Sequence, residues 1–260
     1  LSQAAYDEAL AYAKDRKQFG KAIIEFPAVY DMLATIKAKL DAGRALLYQT
    51  SRYVDIYKAL DDIARERKLT PEERQEQKRY AKLADSFTPL AKGMNSEYAN
   101  QNAYDCIQVH GGSGFMMEYA CQRIYRDARI TSIYEGTTQL QTVAAIRYVT
   151  NGSYAATLHE YELIPCAPEF EGYMNRIKDM TRKLEACTNA VKEAQNQELL
   201  DLVSRRLYEM AAVCVMSHLL LQDATKAPDM FGKSLNVYVN YAESEVEKHF
   251  NFIRKFQAEE

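Results

Sequence analysis

Apolar residues recur every three or four positions along most of this chain, which is the spacing of one face of an α-helix. The clearest stripe follows Phe26-Pro27 and consists of Val29, Leu33, Ile36, Leu40, Gly43 and Leu47. A stripe of this length predicts a long helix in a helical bundle, with its five aliphatic side chains facing inward.

Cap and turn signals divide the rest of the chain into further helices. Ser2 can cap a first helix that extends to about Phe19, where Gly20 stops it. A charged stretch over 58–79 contains Thr70-Pro71-Glu72-Glu73, which has the form of a capping box and predicts a solvated helical excursion. Further helices are predicted from Thr88-Pro89 to about His110, around 123–127, from Thr137 or Thr138 to near Thr150, and over 169–194, 199–226 and 231–256.

Glycine and proline are scarce, with ten and six among 260 residues, and the sequence has no alternating β-branched runs with paired turn signals. The chain is therefore predicted to be all-α. We expect an up-and-down four-helix-bundle-type domain over 1–150 and a smaller C-terminal helical domain over 169–260. The segment 151–168 holds Asn-Gly-Ser and two prolines, and is predicted to be the linker.

Composition excludes several classes of function. Lys and Arg number 33 against 36 Asp and Glu, which leaves no basic footprint for nucleic acid. No run of eighteen apolar residues predicts a membrane span. The five cysteines share no C-x-x-C spacing, and the four histidines are scattered, so we predict reduced thiols, a cytoplasmic location and no metal site. Leu1 stands where an initiator Met is expected, which indicates a fragment or a processed product.

Three short motifs carry the candidate chemistry. Asp15-Arg16-Lys17-Gln18-Phe19-Gly20 ends the first helix, and Arg16 can hold an anion through two hydrogen bonds. Gly111-Gly112-Ser113-Gly114 joins two predicted helices, and its N–H groups can face a phosphate or a partner backbone. Tyr134-Glu135-Gly136-Thr137-Thr138 sets a carboxylate before a helix cap, where Glu135 is either a surface charge or a general base. Taken singly, each motif also has a plain structural explanation.

Together and in this order, the motifs closely resemble the C-terminal helical domain of the acyl-CoA dehydrogenase family. The resemblance rests on the motif over 15–20, on Gln108-Val109-His110 with the glycines and Phe115, and on Arg126-Asp127-Ala128-Arg129-Ile130 followed by 133–141. It covers residues 1 to about 150. The length and helical pattern of 151–260 look like the extra C-terminal domain of a longer bacterial branch of that family, of which one subgroup handles methylthio-propanoyl-CoA.

The resemblance implies FAD-dependent α,β-dehydrogenation of an acyl-CoA thioester to the trans-2-enoyl-CoA. The family's base corresponds to Glu135, which removes the α-proton while the β-hydrogen leaves as hydride to FAD. The backbone N–H of Glu135 helps to polarise the thioester carbonyl. The resemblance further implies that two residues contact the FAD of their own subunit and five contact that of a neighbouring subunit. The first two are Thr137 and Gln139, and the other five are Arg16, Gln18, Phe19, Gln108 and Gly112.

The resemblance also implies a homodimer or tetramer that passes electrons to an electron-transfer flavoprotein. The sequence departs from the family's pattern in two respects. Pro27 stands where the family often has a flavin-contacting Gln, and the family's N-terminal helical and middle β-domains have no counterpart in this sequence. We therefore expect the C-terminal part of a longer enzyme, inactive and without FAD when alone. An acyl-CoA oxidase and a helical oligomerisation module without its own activity remain as alternatives.

Overall fold

The structure, a computed structural model, describes residues 1–258, with side chains described through residue 256. Almost all of this part of the chain is helical, which confirms the predicted all-α class. The helices are α1 (Ser2–Asp15), α2 (Pro27–Glu66), α3 (Pro71–His110), α4 (Ala120–Thr131), α5 (Thr138–Thr150), α6 (Ser153–Glu162), α7 (Glu171–Glu193), α8 (Gln197–Lys226) and α9 (Pro228–Ala258). Two strands of two residues each, β1 (Lys17–Gln18) and β2 (Lys21–Ala22), and three short 3₁₀ segments, Ile23–Glu25, Gly111–Phe115 and Pro168–Phe170, complete the regular structure of the described residues.

Helices α2 and α3 form a long antiparallel hairpin on which the candidate site is built. The connection between them is fixed by the predicted capping box. Oγ1 of Thr70 accepts a hydrogen bond from the N–H of Glu73, and the Glu73 carboxylate accepts one from the N–H of Thr70. The guanidinium of Arg67 also binds Glu73, and this hydrogen bond lowers the pKa of Glu73 to about 2. The charged stretch is therefore the tip of the hairpin.

The prediction that a new helix begins after Thr88-Pro89 was wrong, because α3 runs unbroken through Pro89. A proline has no N–H, so the carbonyl of Asp85 loses its usual partner within the helix. Contacts with α8 stabilise this part of the helix. Pro89 is buried, and its own carbonyl accepts a 3.0 Å hydrogen bond from the hydroxyl of Tyr208 on α8. Tertiary packing thus outweighs the local signal for a helix end.

The first helix was predicted too long, since α1 ends at Asp15 and not near Phe19. Ser2 lies inside α1, with Leu1 at the cap position. Strands β1 and β2 then pair antiparallel around a two-residue turn of Phe19 and Gly20, which both have positive φ, at 50° and 84°. Two successive left-handed residues are the pattern of a tight hairpin turn. The segment with Arg16 therefore leads into a hairpin rather than continuing a helix.

The apolar stripe of α2 faces inward for most of its length. Leu33, Ile36 and Leu40 are buried, and Val29 is half-buried. Leu47 is 47% exposed, so its predicted burial was wrong. The reason is that this part of α2 borders an open groove, described below, rather than another helix.

The hydrophobic core does not stop at the predicted linker. Helix α6 lies inside 151–168, and its Tyr154 and Leu158 are buried, with the Tyr154 hydroxyl donating to the carbonyl of Ser86 on α3. One continuous core joins side chains of α2, α3 and α5 to those of α6–α9. A second, smaller core lies among α1, α2, α3 and α4. The segment 1–150 and the segment 151–258 thus both contribute side chains to one hydrophobic core.

All five cysteines are free thiols, as predicted, and four of them are buried. Burial raises the pKa of the Cys106 thiol to about 12, so it stays protonated at neutral pH. Among the described helices, none has both the length and the apolar character that crossing a membrane requires.

Candidate functional site

An open groove of about 570 Å³ lies between α2, α3 and the turn that follows α4. We call it the central groove. Residues of its wall include Lys39, Gly43, Leu47, Asn95, Tyr134 and Glu135. The groove combines aliphatic and amide surface with one carboxylate and with the cationic side chains of Lys39, Arg44 and Lys92, so it can receive a ligand that has both apolar and polar parts.

Helices α2 and α3 approach each other closely at Gly43, on the floor of the central groove. The side chain of Asn95 donates to the carbonyl of Gly43, and a Cβ at this position would collide with Oδ1 of Asn95. A side chain at this position would displace the amide of Asn95 from this contact. The glycine in the apolar stripe is therefore explained by the close packing beneath the groove.

Glu135 occupies a tight turn, and its side chain is exposed at the groove wall. Its φ is 50°, a left-handed conformation that is strained for a residue with a Cβ. The turn is tied down on both sides. Nζ of Lys92 donates a 2.6 Å hydrogen bond to the carbonyl of Gly136, and the amide of Gln141 donates to the carbonyl of Glu135. These hydrogen bonds hold the backbone of the turn, and neither of them uses the carboxylate of Glu135.

The residues after the turn begin α5. Thr137 is the N-cap, since its Oγ1 accepts from the N–H of Leu140, which decides between the two predicted caps. The N–H of Thr138 donates 3.1 Å to the carbonyl of Ser132, and this bond closes the turn. Thr137 is half-buried and Gln139 is exposed, so Gln139 and Glu135 both present their side chains to solvent.

The glycine turn is a short 3₁₀ segment, Gly111–Phe115, packed against the end of α1. The ring of Tyr12 stacks on His110 with centroids 4.2 Å apart, and the Tyr12 hydroxyl donates to Oγ of Ser113. The N–H of Arg16 bonds the carbonyl of Tyr12, so Arg16 lies one helical turn beyond this contact. The structure thus brings the arginine motif and the glycine turn to one end of the helical hairpin.

The residues predicted to meet a neighbouring subunit's flavin are all solvent-facing. They are Arg16, Gln18, Phe19, Gln108 and Gly112, with Phe19 93% exposed. Around Gly112, the space that a Cβ would take is open to at least 4 Å. A guanidinium, two amides and an accessible backbone are donors that suit a pyrophosphate.

The glycine turn supplies a matched pair of substitutions. A Cβ on Gly114 would lie 2.6 Å from the carbonyl oxygen of Ile107, which α3 holds in place. Gly114→Ala should therefore lower the free energy of unfolding of the chain by about 1–3 kcal/mol, as overpacking does. Gly112→Ala should change it by less than about 0.5 kcal/mol. Chemical denaturation of both variants measures the difference, and equal losses would contradict this account of the turn.

A cluster of three potential metal ligands lies under the glycine turn. Cys106, His110 and Cys121 are buried, and their ligand atoms lie within 4.8 Å of one another. The sequence spacing missed this cluster because Cys121 arrives from α4, after the turn. Nδ1 of His110 donates 2.8 Å to the carbonyl of Cys106, so that nitrogen has no lone pair for a metal. Cys121 donates to the carbonyl of Gly114, and the cluster anchors the turn.

Two lysines of the groove wall were not predicted from the sequence. Lys92 holds the Glu135 turn, as described above. Lys39 is buried, its Nζ donates to Gln101 and lies 4.5 Å from the ring centroid of Tyr241, and burial lowers its pKa. Neither lysine belongs to a short motif, so only the pairing of α2 with α3 reveals them.

Two family models match the chain and together cover nearly all of it. The model described as "Acyl-CoA dehydrogenase, C-terminal domain" matches residues 1–147. The model described as "Acyl-CoA dehydrogenase C terminal" matches residues 150–260. The change from one model to the other falls at the end of α5.

Curated relatives match the first part of the chain. The caffeyl-CoA reductase-Etf complex subunit CarC of Acetobacterium woodii is 37% identical over 141 residues, which are 54% of this chain and 31% of that protein. The probable acyl-CoA dehydrogenase fadE25 of Mycobacterium bovis is 34% identical over 147 residues, 56% of this chain and 32% of that protein. The chain thus spans about a third of the length of these relatives.

Solved structures share the fold over both parts of the chain. An acyl-CoA dehydrogenase from Bacillus anthracis, complexed with FAD, gives a TM-score of 0.75 at 19% identity, over 99% of this chain and 48% of that one. Caenorhabditis elegans ACDH-11 in complex with C11-CoA gives 0.69 at 18% identity, over 93% and 40%. At these identities the likeness concerns the arrangement of helices.

Proposed function

Because the chain belongs to the acyl-CoA dehydrogenase family, we propose that it is the C-terminal part of an FAD-dependent acyl-CoA dehydrogenase. In this proposal it takes part in the α,β-dehydrogenation of an acyl-CoA thioester to the trans-2-enoyl-CoA. The observation that carries the proposal is Glu135, a carboxylate on a rigid left-handed turn at the wall of a groove. A surface charge of no consequence would not require a strained backbone held by Lys92 and Gln141.

In the proposed reaction, Glu135 takes the α-proton of the thioester. A general base must reach the proton that it removes, and the turn holds this carboxylate at the groove without engaging it elsewhere. Within the part of the chain that the structure describes, the N–H of Glu135 donates to no protein acceptor. That N–H is therefore open to the thioester carbonyl, and a hydrogen bond there makes the α-proton more acidic. Bound FAD would supply the hydride acceptor.

The proposal assigns two sets of flavin contacts. Thr137 and Gln139 follow the base directly and would hold the flavin of their own subunit. Arg16, Gln18, Phe19, Gln108 and Gly112 would meet the flavin of a neighbouring subunit, which makes the enzyme a homodimer or tetramer. The exposure of these five residues, together with the donor types that they present, supports this assignment.

The electron acceptor in this proposal is an electron-transfer flavoprotein. The name of the Acetobacterium woodii relative places that protein in a reductase-Etf complex, which supports the class of partner. The same name denotes a reductase. The reaction should therefore be followed in both directions, with acyl-CoA as the reductant of the flavin and with enoyl-CoA as its oxidant.

The test is flavin bleaching in the complete protein that carries this chain. Under argon, a series of acyl-CoA thioesters of different chain length should bleach the flavin, and the best substrate should give the fastest phase. Reoxidation should be slow in air and fast with an electron-transfer flavoprotein. Rapid reoxidation in air with ligand bound would favour the oxidase alternative. A complete protein without flavin, unresponsive to every thioester, would leave only the oligomerisation module.

A further inference from the structure

A polar connection links the Glu135 turn to the helices beyond residue 150. Oγ1 of Thr138 donates a 2.6 Å hydrogen bond to Oε1 of Glu97 on α3. The same carboxylate oxygen lies 3.6 Å from a guanidinium nitrogen of Arg205 on α8. Thr138 is also the residue whose N–H closes the turn on Ser132. Two contacts therefore connect α8 to the turn.

Arg205 is itself held in place from the far side. Its Nε donates 2.6 Å to Oε1 of Glu209, and Nε2 of His249 on α9 lies 2.9 Å from the other oxygen of that carboxylate. Burial of Glu209 opposes its charged form, but His249 and Arg205 outweigh burial and keep the pKa of Glu209 below its usual value. The side chain of Arg205 is therefore held in one conformation, so it can restrain the position of Glu97.

Low solvent exposure and close helix packing strengthen the contact between Arg205 and Glu97. The side chains of Arg205 and Glu97 are only 29% and 28% exposed, so water and salt screen their attraction less than at an open surface. Tyr208, three residues after Arg205 on α8, donates its hydroxyl to the carbonyl of Pro89, and a Cβ on Gly93 would collide with that hydroxyl. Helix α8 thus contacts α3 closely on the same side as the connection.

We propose that Arg205 is a positioning residue for Glu135, acting through Glu97 and Thr138. The helices beyond residue 150 then contribute to the reaction, although they place no group at the reacting atoms. The catalytic part of this inference rests on the proposed function of Glu135. The structural part, that Arg205 restrains the turn, does not.

The test compares Arg205→Met with Arg206→Met in the complete protein. Arg206 is the matched control, because it is the next arginine on α8 and its guanidinium contacts the ring of Phe252 on α9 instead. For Arg205→Met we expect flavin reduction by acyl-CoA to slow by about tenfold, with KM changed less than about twofold, since misplacement of a reacting group lowers kcat. Amide hydrogen exchange of 132–138 should also speed up by about tenfold. Arg206→Met should change neither quantity.

A second variant approaches the connection from its other end. Thr138→Val removes the hydrogen bond to Glu97 while keeping the shape of a buried side chain. It should reproduce the faster exchange, and the double variant with Arg205→Met should be no worse than either single one. Thr138→Val can still test the connection if Arg205→Met does not fold.

Two results would overturn the inference: exchange of 132–138 no faster in Arg205→Met than in Arg206→Met, or fully additive effects in the double variant. If Glu135→Gln leaves flavin reduction intact, the assignment of Glu135 as the base is wrong. The exchange comparison would still decide whether Arg205 restrains the turn, so the two failures can be told apart.

Discussion

Replacing Glu135 by Gln in the complete protein should slow flavin reduction by acyl-CoA at least about 10³-fold, the scale of a lost general base. Flavin content and acyl-CoA binding should be unchanged. Gln has the shape of Glu but cannot accept the α-proton. The turn should survive, because its hydrogen bonds use the carbonyls of Glu135 and Gly136 and not the carboxylate. Rapid-mixing measurements of flavin bleaching give the rate directly.

Glu76→Gln is the matched control. Glu76 is an exposed carboxylate near the hairpin tip of α3, on the turn of helix that follows the capping box. This variant loses the same charge and should reduce its flavin at the normal rate. If Glu135→Gln were reduced at a near-normal rate, the base would have to be sought on another helix, and Glu135 would be only a strained surface residue.

Leu207→Ala should lower the free energy of unfolding by about 2–5 kcal/mol, because it opens a cavity in a fully buried position. Leu207 lies on α8, in the core that joins the two predicted domains. We therefore expect one transition in which both segments of the chain lose structure together. Denaturant unfolding followed by circular dichroism, with hydrogen exchange read separately for 1–150 and 151–258, measures both quantities.

Leu202→Ala on the same helix is the control for this prediction. Leu202 is 46% exposed, and its truncation should change stability by less than about 0.5 kcal/mol. Two separate transitions, with only the segment 151–258 responding to Leu207→Ala, would show that the segments are independently stable. The shared core would then contribute less to stability than its continuity suggests.

The fold class and most helix positions follow from the sequence because the signals that set them are local. The caps at Thr70 and Thr137 act within three residues, and the stripe of α2 repeats within one turn. The predictions of helix ends and of burial were wrong where groups distant in the sequence determine the local structure. Pro89 stays helical because Tyr208 packs on it from α8, and Leu47 is exposed because α2 borders a groove there.

The candidate site, like the fold, was only partly predictable from the sequence. Glu135 and the flavin-contact candidates could be named from short motifs, through resemblance to a family. The residues that hold the Glu135 turn in place could not be predicted from the sequence. Thr138 and Glu97 are 41 positions apart, and Arg205 lies farther along the chain than either, so no periodicity relates them. Only the packing of α8 on α3 shows that they touch.

Under the proposed function, the left-handed backbone at Glu135 sets stability against activity at a single position. A glycine there would relieve strain of roughly 1–2 kcal/mol, since it has no Cβ to crowd the backbone, while it would remove the acid altogether. Selection for thermal stability alone would therefore favour glycine at position 135 and give a more stable but inactive protein.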